Sequence, residues 1–99
     1  MSGSPELDIV RDDRPTGGRY RAQLDGHEAE MTFSRASPRL IIIDHTEVAE
    51  GLRGRGIGDR LVARAVDDAR AEDFKIFPLC PFAASQFRRH PEYGDVLSR

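Results

Sequence analysis

A change of hydrophobic period, hinged on four glycines, decides most of what this chain can fold into. Up to Val48 the apolar residues alternate with polar ones or run as a short aliphatic block, which are the marks of strands. From Ile57 onward they recur at helical spacing instead. Between the two regimes Gly51, Gly54, Gly56 and Gly58 crowd into eight residues. A run of strands, a glycine-rich bend and then a helix is the order of an α+β domain, not of a bundle or a sandwich.

The element boundaries follow from local chemistry. Residues 1–18 are polar and turn-rich, and predict a poorly ordered segment or a short edge strand around Ile9-Val10, with Arg14-Pro15-Thr16-Gly17-Gly18 as a loop. Asp25-Gly26 between the extended runs Arg19–Leu24 and His27–Arg35 predicts a hairpin, because both central residues of a type I′ turn need positive φ. In the second run Ala29, Met31 and Phe33 alternate with Glu28, Glu30 and Thr32. Ala36-Ser37-Pro38 interrupts the chain, and Leu40–Val48 reads as a central strand covered on both faces. Ile57, Leu61, Val62, Ala65, Val66 and Ala69 then define one side of an amphipathic helix that ends near Glu72-Asp73. Lys75–Cys80 predicts a last strand, demoted toward an edge or a bulge by Pro78. Pro81 suits the first turn of a second helix that runs to about Arg89 and stops before Pro91. Phe74, Phe77, Phe82 and Phe87 read as packing. The expected fold is a single α+β domain spanning 1–99: an antiparallel β meander, the glycine loop, an amphipathic helix, a parallel strand and a C-terminal helix.

Composition narrows the partners. Fifteen Lys+Arg against seventeen Asp+Glu leave a net charge of −2, too balanced to favour nucleic acid or an anionic membrane surface. The longest aliphatic run, Leu40–Ile43, is too short for a transmembrane helix, and Met1–Pro5 lacks the basic and apolar regions of a secretion signal. The lone Cys80 cannot staple the fold internally, so a reducing, cytoplasmic setting is expected. Three histidines and one cysteine without close ligand spacing predict no metal site.

The glycine loop carries the functional signal. Placed directly before a helix, it can turn its N–H groups inward onto an anion, helped by the helix dipole and by Arg53 and Arg55. The same composition also serves a plain tight turn. A Walker loop is excluded, because Ile57 and Gly58 stand where lysine and the magnesium hydroxyl belong. A dinucleotide fingerprint is excluded as well: the spacing is Gly54-x-Gly56-x-Gly58, and it follows a meander. Arg53-Gly54-Arg55-Gly56-Ile57-Gly58 instead resembles the Arg/Gln-x-x-Gly-x-Gly/Ala loop of the GNAT (GCN5-related) N-acetyltransferases. His45-Thr46-Glu47-Val48, Pro78-Leu79-Cys80-Pro81 and His90-Pro91-Glu92-Tyr93 are similar to the marks of a minimal, single-domain branch of that family.

The resemblance implies an enzyme that moves an acetyl group from acetyl-CoA to an amine acceptor: a protein lysine or N-terminus, or a polyamine. Arg53, Gly54, Arg55, Gly56, Ile57 and Gly58 would hold the CoA pyrophosphate, and main-chain groups of Thr46 and Val48 the pantetheine arm. No metal is implied. Cys80, at a strand end before a helix N-terminus, sits where thiol pKa values fall and reads as base or nucleophile, or as a small buried filler. His45 and Glu47 share a strand face by alternation unless a bulge intervenes, and either is a candidate base. Tyr93 reads as a packing anchor or a proton donor, Arg88 and Arg89 as a solvated helix end or a 3′-phosphate contact, and His27 as surface. The competing reading is a CoA-binding module without catalysis. Larger family members carry two helices between their first two strands. Here Asp12–Gly18 leaves no room for them, so the acceptor side is expected to be open to solvent or completed by another subunit, and the chain to be a monomer or weak homodimer.

Overall fold

A computed structural model describes residues 7–98. Its strands are β1 (Asp8–Arg14), β2 (Gly17–Leu24), β3 (His27–Ser37), β4 (Leu40–Val48) and β5 (Lys75–Pro78). Helix α1 (Ile57–Glu72) lies between β4 and β5, and α2 (Pro81–Arg89) follows β5. Short 3-10 turns occupy Glu50–Leu52 and Pro91–Val96. The strands lie side by side in chain order, antiparallel except for the parallel β4–β5 pair that α1 connects. The mixed α+β architecture is the one the sequence predicts.

Alternation places Tyr20, Ala22, Ala29, Met31, Phe33, Ile41, Ile43 and Ile76 on one buried sheet face. The helices supply Leu61, Val62, Ala65, Val66, Ala83 and Phe87 to the same core. Each fully buried aliphatic side chain of this set, such as Leu61, contributes about 1.5–3 kcal/mol over an exposed one. Helix α1 ends where Asp73 adopts a left-handed φ of 63°, and the Phe74 N–H donates to the Ala69 carbonyl (3.1 Å). An ionic seam ties edge strand β1 to α1. Arg11 pairs with Asp68 and Glu72, and the buried Tyr20 hydroxyl donates to Asp68 (2.8 Å). Burial, and then the Asp68 carboxylate, push the Tyr20 phenol well above its ordinary pKa, so it stays a donor.

Three expectations need correction. Gly17 and Gly18 are not loop: they open β2, pairing with Arg14 and Asp13 on one side and Ser34 and Phe33 on the other. The absence of side chains lets these backbones close up, so glycine here signals close approach, not a turn. Strand β4 is not covered on both faces, because its outward Leu40 and Ile42 are only half-buried. Phe77, next to Ile42 on that outer face, is 43% exposed and is not core. Ile9-Val10 does lie in an edge strand, longer than the pair suggested; residues 1–6 lie outside the described residues.

Candidate active site

Strand β4 outruns β5, and the site begins where they part. Their pairing ends at Ile43–Pro78, and the Cys80 N–H donates the last bond across, to the Ile43 carbonyl (3.0 Å). Beyond it β4 continues to Val48 while the other chain turns into α2. In that stretch the Ala49 N–H donates to the Glu28 carbonyl (3.0 Å), toward β3. Alternation therefore turns the main-chain groups of Thr46 and Val48 to the open side. A strand edge whose main-chain groups face an opening is a template for an extended amide-bearing chain.

A bulge decides which side chains face the gap. Thr32 pairs with His45 and Phe33 with Ile43, leaving Asp44 as the extra residue. Asp44 is held there by a hydrogen bond from the Ser34 hydroxyl (2.6 Å). Before the bulge Ile41 and Ile43 point inward; after it the inward positions are Thr46 and Val48, while His45 and Glu47 are exposed on the outer face. His45 and Glu47 do share a face, and it is the face opposite Cys80.

The glycine loop closes the gap from the other side. Gly54 and Gly56 adopt φ of 79° and 74°, conformations that cost an L-residue about 1–2 kcal/mol. Gly56 is the N-cap of α1 and offers no side chain to its first-turn amides. The N–H groups of Ile57, Gly58 and Asp59 are thus left for an external acceptor. Gly58 packs beneath Phe82, where an added Cβ would lie 2.7 Å from the ring, so glycine is needed for α1 to meet α2. The resulting cleft of about 480 Å³ is lined by Val48, Leu52, Arg53, the loop glycines and Phe82. Leu52 is fully buried and anchors the loop, and Arg53 Nε donates to the Val48 carbonyl (3.4 Å). The donor set fits the diphosphate of a coenzyme: amides at a helix start and Arg53 in the lining, with Arg55 also in the loop and the Asp59 carboxylate as the opposing charge.

Cys80 is buried at the N-cap of α2, with its Sγ 3.6 Å from Thr46 Oγ1 across the gap. Burial pushes its thiol up. The first-turn amides of α2 at Ala83 and Phe82, together with Thr46, favour the thiolate and outweigh that, and the net shift is downward. Thr46, read in the sequence for its main chain, therefore also contributes its hydroxyl.

On the other side of β4 lies a second groove, of about 540 Å³, lined by Glu28, Glu30, Glu47, Glu50, Val48 and Arg53. Gln23 Nε2 donates to Glu28 (2.9 Å) and Arg19 pairs with Glu30 (3.1 Å). Glu47 and Glu50 have no such partner among the described residues. Val48 and Arg53 line both this groove and the cleft. The other candidates scatter. Tyr93 stacks on His90 (4.8 Å) and meets Phe87 edge-on (5.6 Å), and Arg88 and Arg89 are exposed. Asp25, paired with Arg55 (2.9 Å), and His27, seated on Gly51, are loop contacts with no local sequence signal, since the partners lie some twenty-five to thirty residues apart.

A mixed sheet splayed between two parallel strands, with a glycine-lined helix start in the opening, is the architecture of the GNAT class. Residues 19–96 match the family model of the GCN5-related N-acetyl-transferases, and the chain belongs to that family. It is 29% identical over 75 residues to the protein NATD1 of Gallus gallus, which spans 74% of this chain and 68% of that one. It also resembles a GCN5-like protein from Staphylococcus aureus, with a TM-score of 0.73, 30% identity and coverage of 93% of this chain and 88% of the other. An acetyltransferase of the GNAT family from Elizabethkingia anophelis, solved with acetyl-CoA bound, shares the fold at a TM-score of 0.65 and 14% identity, over 88% of this chain and 74% of the other.

Proposed function

We propose that this chain transfers the acetyl group of acetyl-CoA to a cationic amine, with the pyrophosphate on residues 53–58 and the pantetheine arm along Thr46 and Val48. The observation that carries the reading is the opening between β4 and β5, bordered at once by a free strand edge, an uncapped helix start and Cys80. Positioning supplies the larger share of such a reaction: the thioester is held as an added strand and presented at Val48.

The acceptor is read from the glutamate groove, which shares Val48 with the cleft. Glu47 and Glu50 attract an ammonium group, whose ordinary pKa near ~10.4 leaves about one amine in a few thousand neutral at pH 7. Glu47, directly or through water, accepts the proton, and His45 on the same face is the alternative base. The amine nitrogen then bonds to the acetyl carbon, the carbon–sulfur bond breaks, and the CoA thiolate leaves. The lowered thiol of Cys80 also suits a two-step route, in which its sulfur takes the acetyl group first and passes it to the amine. The acceptor is a protein lysine or N-terminus, or a polyamine. The nearly balanced charge supports a chain without nucleic-acid or membrane partners, and the lone cysteine a cytoplasmic setting, for a monomer or weak homodimer. No helix among the described residues is long and apolar enough to cross a membrane.

Labelled acetyl-CoA offered with spermidine, a lysine peptide or an uncharged arylamine tests this. Turnover is expected with the two cations and not with the arylamine, and Glu47→Gln should lower kcat/KM for spermidine by about tenfold. CoA binding without turnover on any amine would leave only a binding module. Mass spectrometry of Cys80 in the same samples separates the routes: an acetyl adduct that disappears on adding amine marks the two-step route, an unmodified thiol during turnover the direct one.

A further inference from the structure

We infer that the tip of the β2–β3 hairpin, through Asp25 and His27, shapes the glycine loop before any ligand arrives, making both positioning residues for phosphate binding. From Gly51 to Gly56 the loop is exposed except at Leu52, and a side chain on Gly54 or Gly56 would meet nothing within 4 Å. Apart from the buried Leu52, burial beneath the loop therefore does not set its course. Two tethers from the hairpin do. Arg55 Nη1 pairs with Asp25 Oδ2 at 2.9 Å. The His27 imidazole fills the place a Gly51 side chain would take: a Cβ there would lie 2.5 Å from Nε2 and 2.7 Å from Cδ2 and Cε1.

The hairpin is a firm base for both. Asp25 and Gly26 have φ of 53° and 78°, as a two-residue type I′ turn requires, and Leu24 pairs with His27 to close it. With Leu52 buried and Arg53 bonded to the Val48 carbonyl, the loop is held at residues 51, 52, 53 and 55, and Gly54 and Gly56 are free to aim their amides.

Two opposing effects follow from Asp25. Its carboxylate adds negative charge near an anion site, but it faces water, where salt screens such charges. It also fixes one nitrogen of Arg55 and leaves the other guanidinium donors free. Ordering the arginine and the loop in advance removes a cost that binding would otherwise bear, and that effect dominates. Asp25→Asn keeps a residue at home in the turn conformation while removing the charge.

Coenzyme A is the probe, so this inference rests on the proposed function for its ligand but not for its effect on the free protein. Asp25→Asn and His27→Ala are each expected to weaken CoA binding by calorimetry about three- to tenfold, raising KM for acetyl-CoA with kcat unchanged. In an Arg55→Gln background, Asp25→Asn should add less than about twofold, because the tether is already gone. In the ligand-free protein both variants should speed amide hydrogen exchange at residues 53–57. Asp25→Asn binding as tightly as the parent or tighter, or loop exchange unchanged in both variants, overturns the inference. If the parent gives no heat with CoA while loop exchange still quickens, the cosubstrate assignment fails and the tethering stands.

Discussion

Gly56→Val abolishes measurable CoA binding: its Kd, by calorimetry, is expected to rise about 100-fold or more. Gly56 sits at φ 74° and ψ 18° as the N-cap of α1, a conformation that a β-branched residue adopts only under strain. The loop has two ways to respond. It can hold its course at a cost of about 1–2 kcal/mol, with the valine in the open space beside Gly56, where the proposed phosphate would sit. Or it can relax to an extended φ, which turns the following amides away from the cleft. Either way two or more amide–phosphate bonds are lost, each worth about 1.5–3 kcal/mol to a charged group. Together they exceed the ~2.8 kcal/mol of a hundredfold change. Nothing packs within 4 Å of the site of substitution, so the cooperative melt should survive with a small shift. Unchanged affinity in a folded variant would remove this loop from the binding site, and with it the acetyl-transfer reading.

Gly18→Val strikes stability instead. Gly18 lies in β2 between Asp13 on β1 and Phe33 on β3. An added Cβ would overlap the Asp12 carbonyl oxygen and lie 2.9 Å from Phe33 Cζ. The first obstacle is backbone and cannot swing aside, so β1 must part from β2. That separation also pulls Arg11 from Asp68 and Glu72. Overpacking of this kind costs about 1–3 kcal/mol, and the lost strand pairing carries it to the upper end or beyond. At ~4–8 °C per kcal/mol for a domain of this size, thermal unfolding followed by circular dichroism should show Tm lower by about 10–25 °C. A drop of under about 4 °C would mean that β1 adds little to the fold.

Much of the architecture was legible because it is written locally. Asp25-Gly26 turns with positive φ at both residues, α1 runs from Ile57 to Glu72 on its apolar stripe, and Pro81 opens α2. The glycine loop was legible for the same reason, since the conformations that Gly54 and Gly56 adopt are those only glycine accepts freely. The Gly17-Gly18 pair shows the limit of that rule. The same residue type serves a turn or a close strand approach, and only the neighbouring strands tell which.

The sequence by itself determined the order of elements, the hairpin and the glycine bend before α1, each a property of fewer than about twenty adjacent residues. The tertiary structure alone decided which way β4 presents its side chains. Simple alternation from Ile41 and Ile43 would have carried His45 and Glu47 inward toward the gap. The extra residue Asp44, seated on Ser34, reverses the parity, so Thr46 meets Cys80 and Glu47 joins Glu28, Glu30 and Glu50 in the outer groove. A bulge is a mismatch between two strands. Its position is fixed by the partner's register, not by the residues on either side of it.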